Sequence, residues 1–229
     1  QPAFLAGHSL GEYTALVCAG ALSLPQAVAA VAERGRYMQE AVPAGHGAMA
    51  AILGLDDAAV IAACENAAQG EVVSAVNFNS PGQVVIAGHA TAVARAVEHA
   101  KQAGAKRAVL LPVSVPSHCE LMAPAAERLA AYLEKVDVTP PLIPVINNVN
   151  VITTQDPQAI RDALVRQLVS PVRWVETIQS LSERGARTVI ECGPGKVLAG
   201  LNKRIDREMT ALPVFDPASL DEALNAAAE

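Results

Sequence analysis

Residues 2–19 have the sequence PAFLAGHSLGEYTALVCA and contain the turn from which the rest of the chain is interpreted. The short apolar run Pro2 to Ala6 predicts a strand, and Leu10 to Ala19 predicts a helix. Between them, Gly7-His8-Ser9-Leu10-Gly11 fits the pattern G-x-S-x-G, in which a serine lies at a sharp strand-to-helix turn. A glycine-rich turn that contains serine by chance is the alternative, but the strand before and the helix after favour a nucleophile elbow.

An elbow of this kind places Ser9 where a nucleophile can react. The backbone there is strained, and we expect side chains in place of Gly7 or Gly11 to collide within the turn. The backbone N–H of Leu10 would lie at a helix N-terminus, where it can stabilise an oxyanion. The pattern therefore predicts a nucleophilic serine with an oxyanion donor beside it.

Ser9 needs a base, because a serine hydroxyl alone is a weak nucleophile. His118 follows a predicted strand, at the edge where α/β sheets place their sites, and is the candidate base. His8 is expected to shape the pocket beside Ser9. No Asp or Glu downstream of His118 stands out as the third member of a triad. The histidines of the chain are His8, His46, His89, His99 and His118.

Arg34 is expected to face the interior of the fold. It lies on the apolar stripe of a helix that Ser23, Pro25 and Gln26 begin as N-cap, first-turn proline and capping-box residue. A buried guanidinium needs an anionic partner. An internal Asp or Glu is the simpler interpretation, and a substrate carboxylate held by the planar fork is the functional alternative. The apolar members of the stripe are Leu24, Ala27, Val31, Met38 and Val42.

The order of predicted elements changes between Gly47 and Val113. There the elements follow as β-α-β-β-α-β, the order of a ferredoxin-like subdomain. Elsewhere strands alternate with helices, which predicts a mainly parallel sheet covered on both faces. We therefore predict an α/β fold with a parallel-sheet core from residues 1–46 and 114–229 and an insert from residues 47–113. The last helix is predicted over residues 220–229.

Composition and charge exclude several other classes of protein. The 229 residues carry a formal net charge of −6, which argues against nucleic acid or an anionic membrane as the partner. No apolar run has membrane-spanning length. The four cysteines form no C-x-x-C pair, so no metal site is predicted and reduced thiols in a cytoplasm are expected. Residues 193–196, GPGK, lack the spacing of a phosphate-binding loop and fit a tight turn.

Five segments in one order resemble a known enzyme family, over all 229 residues. They are GHSLGEYTAL, ERGRYMQ, NFNSPGQVVIAG, VPSH and ECGPGKVL, which begin at residues 7, 33, 77, 115 and 191. The sequence is similar to the malonyl-CoA:acyl-carrier-protein transacylases, the stand-alone enzymes of bacterial type II fatty-acid synthesis. The resemblance implies malonyl transfer from coenzyme A to the phosphopantetheine thiol of acyl carrier protein, in the cytoplasm and without a metal or other cofactor. We expect the protein to be a monomer.

The resemblance also implies roles for single residues and a type of core. Ser9 would carry the malonyl group, and His118 would be the base, oriented by the backbone carbonyl of Gln167 instead of a carboxylate. Arg34 would bind the malonyl carboxylate, in place of the internal acid expected above. The implied fold is a hydrolase-like α/β core with a ferredoxin-like insert. Pocket-lining positions would be His8, Asn77 and Asn79.

Members of the family begin several dozen residues earlier, with a GQG-type segment whose glutamine supplies a second oxyanion donor. Loss of one such donor costs about 2.7–4 kcal/mol of transition-state stabilisation. We therefore expect the natural protein to be longer, and this chain alone to fold or turn over poorly.

Two other functions stay open on the residues alone. A serine esterase or thioesterase would share the elbow and the base, and faster loss of malonate to water than to carrier protein would favour it. A non-catalytic domain that only docks carrier protein would have no reason to keep both Ser9 and His118. Carrier protein is acidic, so Lys203, Arg204 and Arg207 are either a basic patch for it or a solvated helix face.

Overall fold

The computed structural model describes residues 1–113 and 115–227, so Ser114, Ala228 and Glu229 lie outside the described residues. The chain forms two compact units, Gln1–Trp174 and Val175–Glu229. The first unit contains β1 (Leu5–Ala6), α1 (Gly11–Cys18), α2 (Leu24–Ala41), β2 (Gly47–Leu53), α3 (Asp57–Ala68), β3 (Val73–Ser80), β4 (Gln83–His89), α4 (Ala90–Gln102), β5 (Arg107–Leu110), a 3₁₀ turn (Glu120–Met122), α5 (Ala123–Leu133), β6 (Val145–Ile146) and α6 (Pro157–Gln167). Helix α7 (Trp174–Glu183) begins on its last residue, and the second unit continues with β7 (Thr188–Cys192), α8 (Val197–Ile205), β8 (Thr210–Val214) and α9 (Pro217–Ala226).

The elbow segment is held by a short parallel pair. Leu5 and Ala6 of β1 pair with Val145 and Ile146 of β6, and α1 begins five residues after β1 ends. Helices α1, α2, α5 and α6 share one hydrophobic core next to this pair. Its fully or almost fully buried members include Tyr13, Leu16, Met122, Leu129, Leu133, Leu164 and Leu168.

Helix α2 begins as the sequence predicts. The Ser23 hydroxyl accepts a hydrogen bond from the Gln26 backbone, and the Gln26 side chain accepts one from the Ser23 backbone. This capping box satisfies two of the orphan N–H groups at the helix N-terminus. The apolar stripe is confirmed at Ala27 and Met38, which are buried, but it is wrong at Leu24, which is 63 % exposed because it lies at the helix end beyond the core.

The largest sheet is antiparallel and has the strand order β3-β4-β2-β5. Together with α3 and α4 it gives the predicted element order β-α-β-β-α-β, so that prediction is confirmed. These elements bury a hydrophobic cluster of their own, which includes Ile52, Val60, Val84, Ile86 and Val93. They belong to the first compact unit, and the predicted insert boundaries at residues 46/47 and 113/114 stay a prediction.

The α/β class is confirmed, but parallel pairing is less extensive than expected. Among the described residues it occurs as the two-stranded sheets β1-β6 and β7-β8 and as one isolated bridge between Asn77 and Val172, instead of one mainly parallel sheet. Strand β8 was not predicted, because Pro213 lies within it and a proline removes one ladder donor. Residues 193–196 form the connection between β7 and α8. No helix in residues 1–113 or 115–227 combines the length and apolarity needed to cross a membrane.

Candidate active site

Ser9 has the backbone conformation of a nucleophile elbow. Its φ is +53°, in the left-handed region, where a non-glycine residue is strained by about 1–2 kcal/mol. The turn closes because Gly11 N–H donates to His8 O at 3.0 Å and Glu12 N–H donates to Ser9 O at 3.1 Å. The Ser9 N–H itself donates to the Asn148 side-chain oxygen at 2.7 Å. The structure therefore places Ser9 at a tight, hydrogen-bonded strand-to-helix turn.

The two glycines of the elbow are not equivalent. A Cβ atom on Gly7 would lie 2.0 Å from the Gly11 carbonyl and 2.3 Å from Glu12 N, all of it backbone that cannot move aside. A Cβ atom on Gly11 would meet nothing within 4 Å. The expectation of a collision is confirmed for Gly7 and is wrong for Gly11, because Gly11 already lies in α1 and its Cβ position points into open space.

Gly7→Ala is therefore expected to destabilise the fold by more than about 3 kcal/mol, the upper end of overpacking effects. Gly11→Ala is the matched control, and it should change stability by less than about 1 kcal/mol, since alanine is the better helix former. Urea unfolding of both variants measures the difference. Equal destabilisation by the two substitutions would contradict the geometry of the turn.

His118 contacts Ser9 on one side and a backbone carbonyl on the other. Its Nε2 lies 2.8 Å from Ser9 Oγ, and its Nδ1 lies 2.7 Å from the Gln167 carbonyl oxygen. A carbonyl only accepts, so Nδ1 carries the proton and Nε2 is free to accept the serine proton. Burial lowers the pKa of His118 to about 3, the carbonyl contact opposes this shift, and the charge of Arg34 adds to it. The imidazole is neutral at neutral pH and can accept a proton.

Arg34 extends from α2 to Ser9 Oγ, which therefore contacts both His118 and Arg34. It is 6 % exposed, and its Nη2 donates to Ser9 Oγ at 3.0 Å and to Gln167 Oε1 at 3.2 Å. No carboxylate of residues 1–113 or 115–227 forms an ion pair with it, and its Nε has no partner there. Burial lowers the pKa of this guanidinium. A direct internal Asp or Glu partner is thus wrong, and the cation keeps donor capacity beside the nucleophile.

The predicted pocket residues lie on the strand β3 side of the elbow. His8 Nε2 donates to Asn79 Oδ1 at 2.8 Å, and the His8 ring lies 5.5 Å from the Trp174 ring. Strand β3 reaches this place because Phe78 N–H donates to Val172 O at 3.1 Å. Asn77 is buried, and within the described chain its side-chain NH₂ group has no acceptor.

Leu10 begins α1 as its N-cap residue. In the part of the chain that the structure describes, no acceptor for its N–H is found, so this donor is available next to Ser9. Within the same residues, no group of three or more His, Cys, Asp or Glu side chains has the arrangement of a metal site.

The chain is similar to known acyltransferases over most of its length. The family model "Acyl transferase domain" matches residues 1–214. The malonyl CoA-acyl carrier protein transacylase of Salmonella typhimurium is 58 % identical over 224 residues, which cover 98 % of this chain and 72 % of that protein. The chain belongs to the malonyl CoA-acyl carrier protein transacylases.

Solved structures of transacylases have the same fold. The acyl carrier protein S-malonyltransferase of Vibrio cholerae is 60 % identical with a TM-score of 0.96, over 97 % of this chain and 73 % of that one. A malonyl-transacylase in complex with a type II PKS acyl-carrier protein is 56 % identical with a TM-score of 0.97, over 99 % of this chain and 73 % of that one.

Sequence reasoning missed two residues at the site of this transacylase. Glu12 of α1 is 2 % exposed, and Asn148 is fully buried in the segment after β6. Asn148 accepts from Ser9 N–H and donates to the Gly7 carbonyl at 2.7 Å, so it holds the first and the central residue of the elbow. Two signals could have found them: Glu12 lies one turn before the apolar Leu16, and Asn148 follows a buried strand.

Proposed function

We propose that this chain is a malonyltransferase that moves malonyl from coenzyme A to the phosphopantetheine thiol of acyl carrier protein, through an ester on Ser9. One observation carries the proposal: Ser9 Oγ lies 2.8 Å from a neutral imidazole and 3.0 Å from a buried guanidinium that has no ion-pair partner in residues 1–113 and 115–227. The first group activates the oxygen, and the second suits an acyl group that ends in a carboxylate. The family membership agrees with both.

In the first half-reaction, Ser9 Oγ attacks the malonyl thioester carbonyl while His118 Nε2 takes the hydroxyl proton. The tetrahedral oxyanion would accept a hydrogen bond from the Leu10 N–H. When the carbon–sulfur bond breaks, His118 returns its proton to the departing thiolate, and coenzyme A leaves as a thiol. Malonyl-Ser9 and a neutral His118 result.

The second half-reaction repeats these steps in the opposite direction. The phosphopantetheine thiol of carrier protein gives its proton to His118 and attacks the ester carbonyl. The bond to Ser9 Oγ breaks, and His118 protonates that oxygen. A relative has been solved with a type II PKS acyl-carrier protein bound, which supports carrier protein as the acceptor here.

Mass measurement of the intact protein tests the proposal. After brief incubation with malonyl-CoA, the protein should gain the mass of one malonyl group, and carrier protein should discharge it. Release of the group to water faster than to carrier protein would favour an esterase instead. Absence of any adduct on folded protein would overturn the transferase.

Arg34→Ala should reduce malonyl loading roughly 10- to 100-fold more than acetyl loading, the range expected when charge-assisted hydrogen bonds are lost. The reason is that only malonyl presents a carboxylate to the buried guanidinium. Acyl-enzyme formation from the two thioesters measures the ratio. Arg36→Ala is the matched control, since Arg36 lies on the same helix, is half-exposed and pairs with Glu33. Equal loss of both acylations would refute the carboxylate contact.

We also propose a division into subdomains and a cellular location for this chain. The strand order β3-β4-β2-β5 and the separate hydrophobic cluster support a ferredoxin-like insert at residues 47–113 within a hydrolase-like core. The family membership supports a cytoplasmic protein that uses no cofactor beyond its two acyl-carrying substrates. A monomeric state and the absence of nucleic acid or membrane partners rest on the sequence alone, and they stay predictions.

A further inference from the structure

A buried carboxylate beside Ser9 has no part in the mechanism above. Glu12 Oε2 accepts hydrogen bonds from Gln167 Nε2 at 2.8 Å and from Asn148 N–H at 3.0 Å. Burial of a carboxylate among apolar residues is costly unless it is compensated. Its position, one helical turn after the nucleophile, suggests a function beyond packing.

The Gln167 side chain joins this carboxylate to the cation. Its Nε2 donates to Glu12 at 2.8 Å and to the Ser9 carbonyl at 3.1 Å, and its Oε1 accepts from Arg34 Nη2 at 3.2 Å. An ionised carboxylate only accepts and a guanidinium only donates, so the amide fits between them in one orientation. If the amide were turned over, Oε1 would face the Glu12 carboxylate, two acceptors together, and Nε2 would face the Arg34 guanidinium, two donors together.

We infer that Glu12 is a positioning residue for malonyl selectivity: its ionised carboxylate fixes the Gln167 amide, which in turn holds Arg34 where the malonyl carboxylate must bind. The inference rests on the proposed function. It concerns the side-chain amide of Gln167, while the backbone carbonyl of the same residue orients His118. One residue therefore connects the base to the cation.

The charge on Glu12 makes the arrangement dependent on pH. Burial raises the pKa of Glu12 to about 7, against the opposing effects of its two hydrogen-bond donors and of Arg34. The carboxylate is ionised above this pH and neutral below it. A neutral carboxyl group can also donate, so it no longer requires the amide orientation in which Gln167 Oε1 accepts from Arg34, and the Ser9 carbonyl is then the main group that still favours it. Selectivity should thus fall as the pH decreases through about 7.

Other groups that face Glu12 do not titrate in this window. Tyr13 has its pKa raised by burial, and Arg34 is a strong base whose guanidinium stays charged. Burial lowers the pKa of His118 to about 3, below this window. The remaining neighbours, Gln167 and Asn148, are amides without a charge. A step in selectivity near neutral pH would therefore report on Glu12.

The test compares Glu12→Gln with the unmodified protein. Rates of Ser9 acylation are measured by rapid quench and intact mass, with the N-acetylcysteamine thioesters of malonate and acetate, which carry no titrating phosphate. We expect the malonyl-over-acetyl preference to fall roughly tenfold in the variant, as for loss of one charge-assisted hydrogen bond. Between about pH 5.5 and 8.5 the malonyl-over-acetyl preference should be constant in the variant and should rise with pH in the unmodified protein. Glu33→Gln, at a partly exposed position of α2 where the carboxylate pairs with Arg36, is the control and should leave both the preference and its pH dependence as in the unmodified protein.

The possible outcomes separate the inference from the proposed function. An unchanged preference in Glu12→Gln, or an equal loss of both acylations, would overturn the positioning role. If the variant does not fold, the pH series on the unmodified protein decides, and a preference that is independent of pH overturns the inference. If neither thioester acylates the unmodified protein, the proposed function fails first.

Discussion

Ser9→Ala should form no malonyl adduct and should lose transfer by a factor on the order of 10⁴ to 10⁶, as for other removed nucleophiles. The residual rate would come from binding alone, because His118 and Arg34 would still surround the bound thioester without an oxygen to acylate. Intact mass after incubation with malonyl-CoA measures the adduct, and transfer of labelled malonyl to carrier protein measures the rate.

Thr14→Ala is a suitable control for this experiment. Thr14 also carries a hydroxyl and lies on α1, but its side chain is exposed. The control should load malonyl as the unmodified protein does. A malonyl adduct of full stoichiometry on Ser9→Ala would place the nucleophile elsewhere and contradict the proposed site.

His118→Ala should reduce the rate of Ser9 acylation by a factor on the order of 10⁴, because no other base lies within hydrogen-bond distance of Ser9 Oγ in residues 1–113 and 115–227. Substrate binding should change much less, since Arg34 keeps its place. Single-turnover measurements separate the two effects. His46→Ala, at an exposed loop position, is the control, and a similar loss there would argue against His118 as the base.

Stability against pH gives a second measure of His118. Its folded pKa of about 3 lies below the ordinary value of 6.5, so the unfolded chain binds a proton more readily. The contribution of this group to stability therefore decreases as the pH falls below 6.5, and the decrease continues down to about pH 3. His118→Ala should remove that part of the acid sensitivity of the free energy of unfolding.

Local chemistry made much of this fold predictable. The capping box at Ser23 and Gln26 depends on residues three positions apart, and the structure forms it as expected. The elbow depends on five consecutive residues, and Ser9 has the predicted strained conformation. The alternation of elements between residues 47 and 113 depends on periodicity within single elements, which is the strongest signal in a sequence.

Long-range pairing explains what could not be predicted. Glu12 meets Gln167 across 155 positions of the chain, and Ser9 meets Asn148 across 139. Nothing within a local window indicates such partners. Strand β8 was missed for a related reason, because the parallel ladder with β7 stabilises a segment whose proline argues locally against a strand. In the same way, the open space around Gly11 depends on the path of the whole turn.

The acceptor that orients His118 is a main-chain carbonyl, and this has a consequence for how the site can change over time. Every amino acid at position 167 would carry that backbone carbonyl, so no missense mutation there deletes it. A carboxylate in the same role could be lost by one base change. Substitutions at position 167 can therefore change the side-chain contact to Arg34 during evolution. The backbone carbonyl that orients His118 is retained in all of them.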